Sequence, residues 1–108
     1  MTFSDYQRLS ARTVNRSLTR AESMTQNAMG IAGEAGECVD MVKKHLFHGH
    51  VLDREALVKE LGDSLWYLTQ MASDLGVSLE DVARQNIDKL EARYPEGFSE
   101  RASIERVK

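Results

Sequence analysis

Two pairs of carboxylates set the first question. Glu34 and Glu37 stand three residues apart in "GEAGE", residues 33–37, and Glu60 and Asp63 repeat that spacing in "KELGD", residues 59–63. Residues three apart share one face of a helix, so each pair offers two hard oxygen ligands side by side. Projected at about 100° per residue, Glu34 borders an apolar stripe running from Met24 through Ile31, Ala35, Cys38 and Val42 to Leu46. Glu37 lies beyond it on the same side. A second stripe runs from Leu57 through Leu61, Leu65 and Leu68 to Leu75, with Glu60 at its edge and Asp63 beyond.

If the two stripes pack as a helical hairpin, four carboxylates can meet at the seam. Anions crowded in this way repel and raise one another's pKa values, so the cluster calls for a cation. Hard oxygen donors favour Mg²⁺, with Mn²⁺ as a substitute, over zinc. Magnesium held by carboxylates completes its shell with water and substrate phosphate, which points toward nucleotide chemistry. Gly33, Gly36 and Gly62 flank the acids and are expected either to allow close helix approach or to leave room for a ligand. The bland alternative is a pair of solvated helix faces, on which acids at this spacing are common. Spacing alone does not establish catalysis.

The elements that must position these acids are helical. One helix is expected over Asp5–Leu18 with Ser4 as its cap, and a second from beyond Ala21 to about Leu46, ended by Gly49. A third runs over Arg54–Leu75, opened by Asp53 and closed at Gly76. A fourth spans Leu79–Arg93, capped by Ser78 and ended by Pro95 and Gly97. No segment alternates with a period of two for long enough to suggest a strand. The fold class is all-α, a four-helix bundle completed by oligomerisation. Residues 1–98 form a single helical domain, and residues 99–108 a tail: a short helix, an oligomer arm or a disordered end.

Composition narrows the partners. The 108 residues carry a net charge of −3, with 29% charged residues, and lack the basic footprint that nucleic acid or an anionic membrane requires. A single cysteine, Cys38, excludes an internal disulfide and a Cys-based zinc pattern; its place in the stripe suggests a small buried residue. Neither a signal-peptide core nor a membrane-spanning apolar run is present, so a cytoplasmic protein is expected. His45, His48 and His50 in "HLFHGH" end a helix, where the dipole favours histidine; a loop beside the site fits them better than zinc. Asp40 extends the acid series, but its angle carries it away from the rim. Trp66 projects off the stripe, which suggests a subunit interface first and a base-stacking role second. Tyr67, nearer Glu60, is placed to contact sugar or base.

Together these residues resemble the MazG-like family of all-α nucleoside triphosphate pyrophosphohydrolases. That family's signature is ExxE followed, after a variable gap, by ExxD; here 22 residues separate Glu37 from Glu60. The downstream "NIDKLEARYPEGF", residues 86–98, looks like the family's continuation, so the resemblance spans roughly residues 21–98. It implies hydrolysis of the α–β phosphoanhydride of a nucleoside triphosphate with Mg²⁺, giving a monophosphate and pyrophosphate. Glu34, Glu37, Glu60 and Asp63 would hold the metal, with Glu34 or Glu37 also acting on the attacking water. Lys89 and Arg93, one turn apart, and Asn86 would hold the phosphate chain. A homodimer or homotetramer is implied as well. Two rivals remain: a phosphoribosyl-ATP pyrophosphohydrolase, and a non-catalytic bundle that binds a cation without turnover.

Overall fold

The computed structural model describes residues 1–106. Each helix begins where a short polar side chain satisfies the free amides of the first turn. α1 (Phe3–Ser10) opens with a reciprocal box, in which the Asp5 amide donates to Thr2 Oγ1 and the Thr2 amide to Asp5 Oδ2, both at 3.0 Å. It tightens into a 3₁₀ turn over Ala11–Thr13 and stops at the extended Val14. This corrects the expected Asp5–Leu18 helix capped by Ser4. Two amides are satisfied at once from Thr2, and beyond Val14 the Asn15 Oδ1 accepts from the Ser17 amide at 3.1 Å. That local turn competes with helix continuation.

α2 (Arg20–Phe47) opens with a second box between Thr19 and Glu22 and ends before Gly49, whose φ of 72° lies in the left-handed region. α3 (Arg54–Asp74) is capped by Asp53. It closes on Gly76 (φ 73°), with the Gly76 amide donating to Ser73 O and the Val77 amide to Ala72 O, both at 3.0 Å. This double return requires a residue free to take positive φ. α4 (Leu79–Arg93) follows its Ser78 cap directly. The tail forms a short helix, α5 (Glu100–Ile104), capped by Ser99. Residues 107 and 108 of that tail lie outside the described residues.

α2 and α3 pack as an antiparallel hairpin, and a polar seam joins them at one end. Ser23 Oγ and Asn27 Nδ2 both donate to Asp74 Oδ2 at 2.8 Å. Nearby, Gln70 Nε2 donates to Ser10 Oγ at 2.8 Å, which ties α1 to α3. Gln7 completes the tie: its amide nitrogen donates to Ser73 Oγ and Val77 O, while its oxygen accepts from the Leu79 amide. The interior is small and largely polar. Asn27 is 1% exposed and Thr69 fully buried, with Gln70, Ala72 and Leu79 beside them. Such groups are tolerated inside because each finds a partner, at a net gain of about 1 kcal/mol per bond.

Much of the expected apolar stripe stays uncovered. Val39, Leu46, Phe47, Val58 and Leu61 on the hairpin are all exposed, as are Val82 and Ile87 on α4. Met29 is 70% exposed, and Cys38, expected to be buried, is only half-buried. The accessible surface is 8255 Å², against roughly 6100 Å² for a compact monomer of this size. The radius of gyration is 17.0 Å, against about 13 Å for a compact chain. Among the described residues there is no strand, and no helix is long and apolar enough to cross a membrane.

Candidate metal centre

The hairpin register that sets Asn27 against Asp74 also sets the acids of α2 against those of α3. Glu34, Glu37 and Glu60 each turn one carboxylate oxygen inward, and these oxygens lie within 4.8 Å of one another. Asp63, one turn further along α3, stays outside that trio. It lines a cleft of about 380 Å³ together with Glu34, Thr13, Trp66 and Tyr67.

No basic side chain pairs with these acids among the described residues, and the hydrogen bonds they make are to one another. Glu34 Oε2 and Glu60 Oε2 are shielded from water and have no hydrogen-bond partner among the described residues. The Glu60 carboxyl is pushed above its ordinary value of 4.5, first by a hydrogen bond shared with Glu34 and then by burial and the charges of Glu34 and Asp63; a hydrogen bond to Glu37 works the other way. Glu37 is also raised, by its hydrogen bond to Glu60, the Glu60 charge, slight burial and the Asp63 charge. The Tyr6 phenol on α1 is raised by burial and by Asp63. The lysines that follow are engaged elsewhere. Lys43 and Lys44 pair with Asp40 at 3.3 and 2.7 Å, and this drives the Asp40 pKa down, chiefly through Lys44. Asp40 is therefore no part of the cluster.

Leaving buried acceptors unpaired is costly, and a cation removes the cost. Three converging carboxylates with two shielded oxygens fit a hard divalent ion such as Mg²⁺ or Mn²⁺. The glycines beside the acids contribute space. A Cβ on Gly33, Gly36 or Gly62 would meet nothing within 4 Å, so the alternative of close helix approach at these three is set aside. Close approach occurs one turn earlier, at Gly30, where a Cβ would run into the Tyr67 ring.

The aromatic walls belong to the chain itself. Trp66 Nε1 donates to Thr13 Oγ1 at 2.9 Å and to Ser10 O at 3.2 Å. Its ring meets Tyr67 edge-on, with centroids 5.1 Å apart and an interplanar angle of 87°. Trp66, expected at a subunit interface, has its N–H satisfied within the chain: an indole N–H seeks a partner when covered, and Ser10 of α1 and Thr13 of the 3₁₀ turn supply two. Tyr67 lines the cleft beside Glu34 and Asp63, as its projection suggested.

The residues expected to grip phosphate are not gathered here. Asn86 and Lys89 are exposed on α4, and Arg93 is half-buried with a shielded, unpartnered Nε. None of the three lines the cleft, and none makes a hydrogen bond or ion pair among the described residues. The histidines also stand apart. His45 Nδ1–H donates to His50 O at 2.8 Å, closing the turn after α2, and no histidine joins a group of potential ligands among the described residues.

Residues 22–98, which hold both acid pairs and the cleft wall Tyr67, match the MazG nucleotide pyrophosphohydrolase domain. The chain belongs to that family. The Gene 37 protein of Mycobacterium phage L5 is 39% identical over 80 residues, covering 70% of each protein. No solved structure matches the chain. Sequence reasoning missed Gly30 within this MazG domain, and Tyr6 and Thr13 in the segment before it. Only the pairing of α2 with α3, and the packing of the N-terminal segment on α3, brings these residues to the acids; no local pattern marks them.

Proposed function

We propose that this MazG-domain chain is a Mg²⁺-dependent nucleoside triphosphate pyrophosphohydrolase, acting on a ribo- or deoxyribonucleoside triphosphate in the control of nucleotide pools. The observation that carries the proposal is the convergence of Glu34, Glu37 and Glu60 from two helices, with two buried oxygens left without donors.

Glu34, Glu37 and Glu60, with Asp63 beside them, would hold the ion. Mg²⁺, or Mn²⁺ in its place, would neutralise phosphate charge and polarise the α-phosphoryl group. Glu34 or Glu37 accepts a proton from the attacking water. The water oxygen forms the new bond to the α-phosphorus, and the bond to the α–β bridging oxygen breaks. Its electron pair leaves with pyrophosphate. Tyr67, Trp66 and Thr13 wall the cleft and limit water around the reacting phosphate.

In this reading Asn86, Lys89 and Arg93 grip the phosphate chain, Arg by a two-pronged contact and Lys as a point charge. The working form is a homodimer or homotetramer. The exposed apolar face on α2, α3 and α4 supports this, since surplus accessible surface on the order of 2000 Å² is what a stable interface covers.

The test is a panel of ribo- and deoxyribonucleoside triphosphates, including dUTP and modified bases, incubated with and without Mg²⁺. Products are resolved so that pyrophosphate is distinguished from single phosphate. Monophosphate and pyrophosphate, formed only with the metal, are expected. Activity confined to phosphoribosyl-ATP, or a Mg²⁺-induced rise in melting temperature with no nucleotide consumed, would overturn the proposal.

A further inference from the structure

The basic residues of the chain are unevenly placed. Arg8, Arg12, Arg16 and Arg20 recur at every fourth position within residues 1–20, where Asp5 is the one acid, giving a side-chain charge of +3. The remaining residues hold ten basic and sixteen acidic side chains, a charge of −6. The MazG match begins at residue 22, so this basic segment stands ahead of the domain that carries the acids.

The segment nevertheless takes part in the cleft. Ser10 O and Thr13 Oγ1 hold the Trp66 indole, Ser10 Oγ accepts from Gln70, and Gln7 bonds to Ser73, Val77 and Leu79. Pinned in this way against α3, Thr13 lines the acidic cleft with Glu34 and Asp63. Arg12 is its chain neighbour, a third of a turn away around the 3₁₀ axis, which sets it beside the cleft wall. Arg16 is drawn back to the same turn, where its Nη2 donates to Ala11 O at 3.4 Å.

The arginines are not equivalent. Arg8 pairs with Asp5 at 3.6 Å. Arg12 is exposed and makes no hydrogen bond or ion pair among the described residues, and Arg16 has no carboxylate partner there. Two arginines without an anion thus stand at one turn, beside a cleft whose lining holds no basic side chain.

A nucleoside triphosphate brings that cleft a problem of charge. Its α-phosphorus must approach the acids, while its β- and γ-phosphates add negative charge that the acids repel. Trp66 and Tyr67 offer nothing to balance it, and the Thr13 turn is the wall with cations beside it. We infer that Arg12 and Arg16 form an anion-binding rim at the mouth of the acidic cleft, which holds the β- and γ-phosphates and so the departing pyrophosphate. The inference rests on the nucleotide reading above. It supplies a cationic contact from the same chain, where Lys89 and Arg93 of α4 do not line the cleft. A guanidinium suits the task because its fork matches phosphate oxygens two at a time. Extended nucleic acid fits less well, since the negative charge of the remaining residues repels it beyond this short segment.

The experiment compares the wild type with Arg12→Gln and Arg16→Gln combined, and with Arg8→Gln as a control on the same segment. Turnover of a nucleoside triphosphate is measured at increasing ionic strength. Binding of inorganic tripolyphosphate, followed by calorimetry with Mg²⁺, reads the phosphate contact without a base. Circular dichroism and the Mg²⁺-induced melting shift confirm that each variant folds and keeps its acids. In the double variant KM and the tripolyphosphate dissociation constant are each expected to rise roughly tenfold, with kcat within about twofold. Inhibition by nucleoside monophosphate, which lacks the β- and γ-phosphates, should not change. The rise of KM with salt should be flatter than in the wild type, and Arg8→Gln should stay within about twofold of wild type throughout.

If the wild type turns over nucleotides but the double variant keeps its KM and its affinity for tripolyphosphate, the rim is refuted while the activity stands. If the wild type turns over none, and the double variant still loses tripolyphosphate affinity, the rim survives as a polyphosphate site and the nucleotide reading fails. An equal effect in Arg8→Gln would reduce the rim to a general field and overturn the inference. A changed molecular mass in solution for the double variant, with tripolyphosphate binding untouched, would assign the arginines to contact with a second copy and overturn it as well.

Discussion

Glu60 and Asp74 are two carboxylates on α3 that both face α2, fourteen residues and about 21 Å apart along the helix. Their treatment differs. Asp74 meets Ser23 and Asn27, and one of its oxygens accepts two hydrogen bonds of 2.8 Å. Glu60 meets Glu34 and Glu37, and its shielded oxygen finds no donor. One acid is spent on holding the hairpin, while the other is left for something positive to complete. The difference lies in what α2 presents opposite, not in the acids themselves.

The comparison breaks most visibly in turnover. Glu60→Gln or Glu34→Gln is expected to lower kcat/KM by a factor on the order of 10³, as removal of a group that stabilises transition-state charge does. Without metal, Glu60→Gln should melt no lower than the wild type at neutral pH, since a repelling charge is gone. A metal-free melting temperature that falls in Glu60→Gln would make the cluster structural and erase the contrast.

The other end should answer in the opposite way. Asn27→Ala removes a donor from Asp74 and opens a small void in the buried seam, a loss of about 2 kcal/mol. That corresponds to roughly 10 °C in melting temperature. With saturating Mg²⁺ its kcat should remain within about twofold of wild type, because the nearest acid of the cluster, Glu34, lies two turns away. A kcat loss as large as that of Glu60→Gln would show that the two ends are one unit.

The smallest effect is in pH. Glu37 and Glu60 have folded-state pKa values above the ordinary 4.5, so the folded protein binds their protons more tightly than the unfolded chain. Their contribution is therefore favourable below about 4.5 and is lost as pH rises through the raised values. Asp5, Glu22 and Asp40 shift downward and run the other way, so the informative quantity is a difference. The melting temperature with Mg²⁺ minus that with chelator should grow by a few degrees between pH 4 and pH 7, as protons cease to compete with the ion. The same difference measured on Glu60→Gln should be flat. A flat wild-type curve would mean that no cation binds.

Part of this contrast was legible in the chain. α3 was expected over Arg54–Leu75 and runs over Arg54–Asp74, and α4 lies where Ser78 and Pro95 bound it. Caps and periodicity act within a few residues, so they read reliably. α1 escaped that reading because two caps competed and the Thr2–Asp5 box prevailed over Ser4. The polar seam escaped as well. Asn27, Thr69 and Gln70 are polar residues inside otherwise helical patterns, and nothing local marks them as the buried polar groups among the described residues.

The sequence by itself determined the helices from α2 to α4, the all-α class and the four acids at matching spacing, because each depends on interactions no longer than a turn or two. Only the tertiary structure decided that Glu34, Glu37 and Glu60 converge while Asp63 stands beside them. It also decided that Gly30, and not the three glycines flanking the acids, is the point of close contact, and that Trp66 finds its partners at Ser10 and Thr13. The register between α2 and α3 governs all of these, and that register depends on long-range contacts, the Asn27–Asp74 bond and the Gly30–Tyr67 contact among them. No window along the chain contains both halves of either pair.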